Sequence, residues 1–476
     1  MMNPSVWDKF MYPSGILCLS SYLEDNGFPN IILDSKDFPI NTSPGQREAM
    51  IVEKVGKIKP RIVCFSSTHK EFAEVVRMNK ELSSANPRII TIVGGSQPTY
   101  RAEDFLDNGF NFVGIGEGER ILLEFARQVN SLRPSWSRVS GLAWKNGKAN
   151  VFNVPGTLLT EDELNSITTL AYDKIDERFF DINAGTIRGF PLRGALLLTS
   201  RGCPFACTYC GCNKIFGRKL RFKSPELIER EIRYLKDRRR VEGVWIIDDT
   251  FTVNQEHALR VAQILKKYGL LWGCQSRVDT INEELIKAMK ESGCIQIDFG
   301  VESGSQRILD EVMEKNITVE QIFNAFALAK KYRIRTLANF MIGLPTESYS
   351  DLKKTEDVAA RIRSEVYVFS IATPLPGTKL FDMVGEKIRP EEYSLLSWNG
   401  SALTERLNKS GIAALTQERD HLHRKYYFKS LLKLVFSPSI YIFFIRSPYK
   451  FQRARFALQY ILKHLKEPVD YGHAIK

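Results

Sequence analysis

The sequence lacks the long apolar run that a membrane-spanning helix needs. No stretch of about 18 uncharged apolar residues occurs in its 476 residues, so we expect no helix that crosses a bilayer. The N-terminus also lacks a basic segment followed by an apolar one, which argues against secretion. Only 8 cysteines are spread along the chain, which predicts a reduced, cytoplasmic setting instead of a disulfide framework. This length predicts two or three globular domains.

An excess of positive charge is absent from most of the chain. The net charge is +12, and residues 401–476 contribute 14 Lys and Arg against 5 Asp and Glu. The body is therefore nearly neutral and the tail is basic. We expect no nucleic-acid partner, because the body carries no recognised RNA-binding module.

The basic tail, from about Glu418 onward, reads as helical and aromatic. Its apolar stretch 431–445 contains Lys433 and Pro438 and is too short to span a bilayer. One interpretation is a helical cap that packs its aromatic side chains on the preceding domain. The other is peripheral contact with an anionic inner membrane surface, consistent with a lipid-like substrate.

The first 150 residues alternate strand-like and helix-like segments. Apolar runs at 61–65, 89–93 and 110–115 predict strands of a parallel sheet that is covered on both faces. Ligands of such sheets bind outside the carboxyl ends of the strands. Because the first helix begins near Ser14 with almost nothing before it, we expect that the first strand is missing and the start truncated. The runs end at Ser66-Ser67-Thr68, Gly94-Gly95-Ser96 and Gly116-Glu117-Gly118.

A second α/β series begins near Ala195 and contains six strand–helix units. Six units are fewer than the eight of a closed barrel, which predicts one partial barrel. Residues between the two series have weak periodicity and are expected to form a linker. The predicted division of the chain is 1–150, 151–194, 195–385 and a helical region 386–476.

Three cysteines follow the first strand of the second series. Cys203, Cys207 and Cys210 fall within eight residues of one loop. Soft thiolates on a flexible loop favour an iron–sulfur cluster. A zinc site would want four ligands, and Cys212 as the fourth is spaced more tightly than usual zinc pairs. Unpaired structural cysteines are the remaining alternative.

The cysteine spacing resembles the signature of the radical S-adenosylmethionine (SAM) superfamily. Further motifs at strand ends resemble the same superfamily, namely Asp248-Asp249-Thr250, Gly300-Val301-Glu302-Ser303-Gly304 and Phe340-Met341-Ile342-Gly343. Residues 13–130 are similar to the N-terminal cobalamin-binding domain of one branch. The resemblance implies a flavodoxin-like or Rossmann-like cobalamin domain followed by a partial (β/α)6 barrel.

The resemblance also implies roles for individual residues. The three cysteines would hold a [4Fe-4S] cluster, and SAM would bind its open iron. Arg277 would pair with the methionine carboxylate of SAM, although a mutual pair of Arg277 and Asp279 on the surface is an alternative. The implied SAM contacts are Tyr209, Asp248, Arg277, Gly300, Glu302, Ser303, Ile342 and Gly343. The implied cobalamin contacts are Ser66, Ser67, Gly94, Gly95, Ser96, Gly116, Glu117 and Gly118.

The cobalamin domain departs from the pattern of the cobalamin mutases. Their Asp-x-His segment supplies a cobalt ligand, whereas the sequence here reads Asp34-Ser35-Lys36-Asp37. We therefore expect cobalt without a protein imidazole. His69 is the alternative ligand, although a solvated residue at a helix start is the expected reading.

The resemblance implies a radical SAM enzyme that transfers a methyl group from cobalamin to an unactivated carbon of a small molecule. A second SAM would restore methylcobalamin, and a flavodoxin or ferredoxin would supply electrons. A cyclase or rearrangement enzyme is the alternative within enzymes. A non-catalytic iron–sulfur accessory protein at the membrane is the alternative from another class.

Overall fold

Two α/β sheets organise the part of the chain that the computed structural model describes. The described residues are 2–3, 14–34, 42–167, 170–181, 192–384, 388–396, 400 and 402–435. Within them, no helix is both long enough and apolar enough to cross a membrane.

The first sheet has seven strands in the order β2-β1-β3-β4-β5-β6-β7. The strands are β1 (Met2–Asn3), β2 (Leu33–Asp34), β3 (Ile62–Ser66), β4 (Ile90–Gly94), β5 (Phe112–Gly114), β6 (Leu142–Asn146) and β7 (Ala149–Phe152). The pairings among β1–β5 are parallel. β6 and β7 form an antiparallel hairpin at the edge.

The expectation of a missing first strand was wrong. Met2 pairs in parallel with Leu33 on one side and with Phe65 on the other, so β1 lies between β2 and β3. Two residues suffice for these pairings because the backbones of both neighbouring strands, β2 and β3, pair with β1. So short a strand has no apolar pattern by which the sequence could reveal it.

Helices cover this sheet on both faces, as the apolar strand runs predict. They are α1 (Ser14–Asp25), α2 (Pro44–Ile58), α3 (Phe72–Ala85), α4 (Ser96–Tyr100), α5 (Ala102–Asp107) and α6 (Gly118–Val129). α2 begins at a capping box in which Ser43 and Gln46 satisfy each other's backbone N–H groups, with Pro44 at its first position. The short helices α7 (Glu161–Ser166) and α8 (Arg178–Asp181) follow in the linker, whose apolar side chains join the barrel core.

The second sheet has six parallel strands in the order β15-β14-β13-β12-β11-β8. They are β8 (Gly194–Leu197), β11 (Gly243–Ile246), β12 (Leu271–Arg277), β13 (Cys294–Glu302), β14 (Arg335–Ile342) and β15 (Val366–Ile371). The short strands β9 (Ser200–Arg201) and β10 (Arg221–Phe222) form a separate antiparallel ribbon after β8. This is the predicted partial barrel.

Helices alternate with the strands of this sheet. They are α9 (Cys212–Phe216), α10 (Pro225–Arg239), α11 (Gln255–Tyr268), α12 (Glu283–Glu291), α13 (Val319–Lys331), α14 (Tyr349–Ile362), α15 (Lys379–Asp382) and α16 (Ile412–Val435). A π-helical turn, Ile308–Val312, follows β13.

The start of the basic tail packs on the edge of the barrel. His423 Nε2 accepts the backbone N–H of Phe369 on edge strand β15 at 2.9 Å. The rings of Tyr426 and Tyr367 lie 4.4 Å apart. This part of the tail is therefore a structural cap. The apolar stretch 431–445, on which the membrane interpretation depends, lies outside the residues whose side chains are described.

Candidate active site

The three clustered cysteines lie in residues 202–211, hereafter the cluster loop, between β9 and α9. Cys203, Cys207 and Cys210 are partly buried, and none forms a disulfide. The loop lies beyond the carboxyl end of β8, where α/β folds place their chemistry.

Backbone contacts hold the cluster loop in place. Gly202 adopts a φ of +100°, and a Cβ on it would overlap the carbonyl of Lys219, so only glycine fits. The N–H of Cys203 donates to the carbonyl of Gly217 at 3.1 Å. Thr208 donates from its N–H and its hydroxyl to two carbonyls at the end of the π-helical turn, at 3.0 and 2.8 Å. The loop is thus fixed at several points.

Positive charge faces Cys207. Nη1 of Arg277 lies 3.8 Å from the sulfur of Cys207. Burial raises the pKa of Cys207, and the charges of Lys315 and Arg277 oppose that rise. Cations beside a thiol stabilise the thiolate, which is the form that ligates metals.

The thiol set fits a cluster better than a single ion. In the described part of the chain, no group of three or more His, Cys, Asp or Glu side chains could hold a metal ion. An iron–sulfur cluster instead binds one thiolate on each of several irons, so its ligands surround it. Three thiols on one fixed loop, none of them in a disulfide, match that requirement. A hydrogen bond from Cys212 lowers the pKa of Cys210.

A buried ion pair lies beside the cluster loop. Nζ of Lys315 is 2.8 Å from Oε1 of Glu302 and 3.2 Å from the hydroxyl of Tyr209. A Cβ on Gly300 would come within 2.6 Å of that Glu302 oxygen and 2.7 Å of Nζ, so a side chain at this position would displace the ion pair. The structure thus brings together the predicted residues Tyr209, Gly300 and Glu302. Burial raises the pKa of Tyr209 well above its usual value, so its hydroxyl stays protonated.

Arg277 is fully engaged within the protein. It donates to both carboxylate oxygens of Asp279 at 2.8 Å and to the carbonyl of Lys315 at 2.7 Å. Its guanidinium also lies 3.6 Å from the centroid of the Phe205 ring. The alternative pair with Asp279 therefore exists, although it is buried instead of lying on the surface.

Asp248 lies beneath the cluster loop. It is 1 % exposed and accepts from the N–H of Thr199 and the hydroxyl of Ser200, both at 2.6 Å. Burial raises its pKa to about 6. Asp248 therefore braces the chain between β8 and β9, where its carboxylate is enclosed by protein.

Ser303, Ile342 and Gly343 are also enclosed by protein. Ser303 is fully buried, and its hydroxyl lies 3.2 Å from that of Thr355 on α14. Leu415 of α16 packs with Ile342 and covers Gly343, where a Cβ would lie 2.8 Å from a Leu415 methyl. The apolar strand end predicted to contact SAM is thus covered by the C-terminal helix.

Sequence reasoning missed Lys315 and Glu347. Lys315 stands between Glu314 and Asn316, which both adopt positive φ, and no pattern in the sequence marks this turn. Glu347 accepts the N–H of Gly343 at 2.6 Å, and burial raises its pKa to about 7. Its place four residues after Gly343 was a usable signal, because a carboxylate there can reach back to the strand end.

The carboxyl edge of the first sheet presents backbone and small side chains. The predicted residues found at this edge are Ser66, Ser67, Gly94, Gly95, Ser96 and Gly116. Gly95 has a φ of +112°, and a Cβ on it would lie 2.6 Å from the carbonyl of Ser67. A Cβ on Gly116 would meet no atom within 4 Å, so open space adjoins it. This edge can approach a large ligand closely.

Glu117 and Gly118 instead face inward. The carboxylate of Glu117 pairs with Arg201 at 3.1 Å and with Arg221 at 2.8 Å, and all three side chains are almost fully buried. A Cβ on Gly118 would lie 3.0 Å from Leu19 of α1. Glu117, predicted to contact cobalamin, therefore holds the first domain against the barrel, whereas Gly118 allows α6 to pack closely on α1 within the first domain.

His69 is not the solvated residue that the sequence predicts. It is partly buried, and its Nε2 lies 3.2 Å from the carbonyl of Leu396 in the C-terminal region. Burial lowers its pKa to about 4. Asp34 is described at the end of β2, whereas residues 35–41 lie outside the described part of the chain.

Comparison with known families follows this division into two sheets. Residues 197–359 match the radical SAM superfamily, and residues 7–126 match the B12 binding domain. An uncharacterized methyltransferase of Pyrococcus horikoshii is 32% identical over 337 residues, which are 70% of this chain and 71% of the relative. The chain belongs to the radical SAM superfamily, in the branch with a B12-binding domain. The predicted family, fold class and enzymatic nature are confirmed.

The chain is also similar to a cyclase and to a methyltransferase of known structure. The anaerobic magnesium-protoporphyrin IX monomethyl ester cyclase of Rubrivivax gelatinosus is 28% identical over 393 residues, covering 80% of this chain and 68% of that protein. The structure of the methyltransferase TsrM from Kitasatospora setae, with cobalamin and a [4Fe-4S] cluster bound, superposes with a TM-score of 0.70 at 18% identity. That match covers 81% of this chain and 77% of TsrM, and it confirms the fold.

Proposed function

We propose that this radical SAM chain methylates an unactivated carbon of a small molecule, with a [4Fe-4S] cluster, SAM and cobalamin as cofactors. One observation carries the proposal, namely that the open carboxyl edge of the B12-binding domain adjoins the cluster loop. The hydroxyl of Tyr100, at the end of α4, donates to the carbonyl of Gly211 at 2.8 Å. The cluster and SAM would supply a hydrogen-abstracting radical, and cobalamin would supply the methyl group.

The chain's own residues have distinct tasks in this proposal. The thiolates of Cys203, Cys207 and Cys210 hold the cluster, and the cations Arg277 and Lys315 favour the thiolate of Cys207. Glu302 can accept a hydrogen bond from the ammonium group of SAM. Asp248, Ser303, Ile342 and Gly343 are enclosed by protein and would support the site without direct contact to SAM.

Anaerobic reconstitution of the full chain tests the proposal. We expect about four irons per chain, uptake of cobalamin and cleavage of SAM to 5′-deoxyadenosine. A product heavier than the substrate by one methylene would establish methylation. Unchanged carbon count with loss of hydrogen would instead support the cyclase alternative. A protein that binds iron but never cleaves SAM would support the accessory alternative.

An electron donor is a further part of the proposal. Residues 217–219 pack directly on the cluster loop. Arg218 and Lys219 of this segment and Lys214 of the preceding helix α9 are exposed to solvent. These cations would attract a small acidic one-electron carrier, such as a flavodoxin or ferredoxin, in a transient encounter. Arg218 also donates to the carbonyl of Pro204 in the loop at 3.2 Å, so it is left intact in the test.

The double variant Lys214→Glu/Lys219→Glu separates docking from chemistry. Cluster reduction by flavodoxin should slow at least tenfold, and more at low salt, whereas reduction by dithionite should stay unchanged. The matched control is Arg238→Glu/Lys266→Glu, at exposed positions at or near the far ends of α10 and α11. Equal slowing in the control would show only a general charge effect.

Peripheral membrane contact belongs to the same set of proposals. The basic excess after residue 401 supports it, at roughly 1 kcal/mol per cation near an anionic surface. Flotation with anionic liposomes should therefore fall when tail Lys and Arg are changed to Gln. Equal flotation of wild type and variants at low salt would contradict a membrane role.

A further inference from the structure

The B12-binding domain contacts both ends of the cluster loop. Arg201 immediately precedes the loop, and Gly211 is its last residue. Each is contacted by a segment that continues directly from a predicted cobalamin-binding turn. The first of these turns includes Gly95 and leads into α4, and the second includes Gly116 and leads into α6.

At the start of the loop, the contact is a buried charge network. Nη2 of Arg201 lies 2.6 Å from Oε1 of Glu119 on α6, and Nη1 lies 3.1 Å from Glu117. The side chains of these three residues are only 4–6 % exposed. Nη2 of Arg201 also lies 3.2 Å from the sulfur of Cys18 on α1. Buried charges are strongly held by such partners, because separation would leave them unpaired away from water.

At the end of the loop, the contact is made by the aromatic ring of Tyr100, which is wedged between two glycines. The Tyr100 hydroxyl donates to the Gly211 carbonyl at 2.8 Å, and the ring lies between Gly211 and Gly377. A Cβ on Gly211 would come within 2.7 Å of the Tyr100 oxygen, and one on Gly377 would overlap the ring. Both neighbours must therefore be glycine for the tyrosine to fit.

We infer that Tyr100 and Arg201 are positioning residues that couple cobalamin binding to the cluster loop. The inference rests on the proposed function. Cobalamin bound at the turns before α4 and α6 would order these turns and the two contacts that follow them. The segment that carries all three cysteines would be ordered with them. Coupling between two sites is reciprocal, so a formed cluster must tighten cobalamin binding by the same factor.

A binding cycle measures this coupling in the full-length protein. The dissociation constant of hydroxocobalamin is determined by visible absorption for the cluster-loaded and the cluster-free protein. In the wild type we expect tighter binding with the cluster, by roughly 5- to 150-fold as in other coupled sites. In Tyr100→Ala the ratio should fall towards one, while the cluster-free dissociation constant changes little. Tyr349→Ala, at a tyrosine that is 68% exposed, is the matched control and should keep the wild-type ratio.

Two further variants keep the test independent of folding. Tyr100→Phe removes the hydrogen bond but keeps the wedge, so its ratio should lie between those of the wild type and Tyr100→Ala. Gly211→Ala displaces the tyrosine from the opposite side, at a position with an ordinary φ of −97°, and should lower the ratio as Tyr100→Ala does. A wild-type ratio of one, or an unchanged ratio in both Tyr100→Ala and Gly211→Ala, would overturn the inference. A wild type that takes up no cobalamin would instead refute the proposed function.

Discussion

The carboxyl edges of the two sheets differ in the types of residue that line them. Around the cluster loop, the barrel presents charged side chains whose partners are buried with them, such as Glu302 with Lys315 and Arg277 with Asp279. The edge of the B12-binding domain presents glycines and serines, and its acidic residue Glu117 faces inward. A small charged ligand needs charged side chains with which it can pair. A large ligand instead needs open space and a backbone that it can approach closely. The difference agrees with SAM at one edge and cobalamin at the other.

The largest effect expected at the barrel edge is that of Cys207→Ala. Loss of one of three thiolates should abolish SAM cleavage, because a cluster with fewer protein ligands is not retained in a competent form. Iron content and 5′-deoxyadenosine formation measure this. Cys212→Ala is the control and should retain iron, since Cys212 is a hydrogen-bond partner of Cys210. Retained turnover in Cys207→Ala would undo the assignment of the triad.

Glu302→Gln should weaken SAM binding at least tenfold while leaving the iron content unchanged. The amide carries no charge for the ammonium group of SAM, and it leaves Lys315 without its ionic partner at 2.8 Å. Equilibrium dialysis of the reconstituted protein measures the affinity. Glu314→Gln is the matched control, because Glu314 pairs with Lys379 at the surface. Equal weakening in both variants would remove Glu302 from the SAM site.

Glu347→Gln tests the buried carboxyl that supports Gly343. Its folded pKa of about 7 lies above the ordinary value of 4.5, so the folded state binds more protons than the unfolded state between these pH values. Wild-type stability contributed by this group is therefore lost as the pH rises from about 4.5 to 7. The glutamine variant should gain about 1–3 kcal/mol relative to the wild type between pH 5 and pH 8. Urea unfolding at both pH values measures it, and a constant difference would contradict the raised pKa.

The smallest effect is expected at the cobalamin edge, from His69→Ala. His69 is bonded to the Leu396 carbonyl and is not expected to ligate cobalt. The electron paramagnetic resonance spectrum of the cob(II)alamin form should lack axial nitrogen splitting in both the wild type and the variant. Splitting that disappears in His69→Ala would reinstate the histidine as a ligand.

The two edges also differ in how far the sequence predicts them. The cysteine triad and the glycines at strand ends are local signals, because their chemistry or their backbone conformation demands one residue type. Lys315 and Tyr100 carry no such signal. Both acquire their roles from residues far along the chain, Tyr209 for Lys315 and Gly211 for Tyr100.

The sequence by itself determined the alternation of strands and helices after the first strand, the partial barrel and the loop that carries the thiols, because apolar periodicity and cysteine spacing are properties of neighbouring residues. Only the tertiary structure decided which charges are available to a ligand. Glu117, Asp248 and Arg277 look like ligand contacts in the sequence, yet each is satisfied by partners within the protein. The first strand was also recognised only in the tertiary structure. Met2–Asn3 is a strand because it pairs with two neighbouring strands. Burial and long-range pairing depend on the whole fold, and no local pattern encodes them.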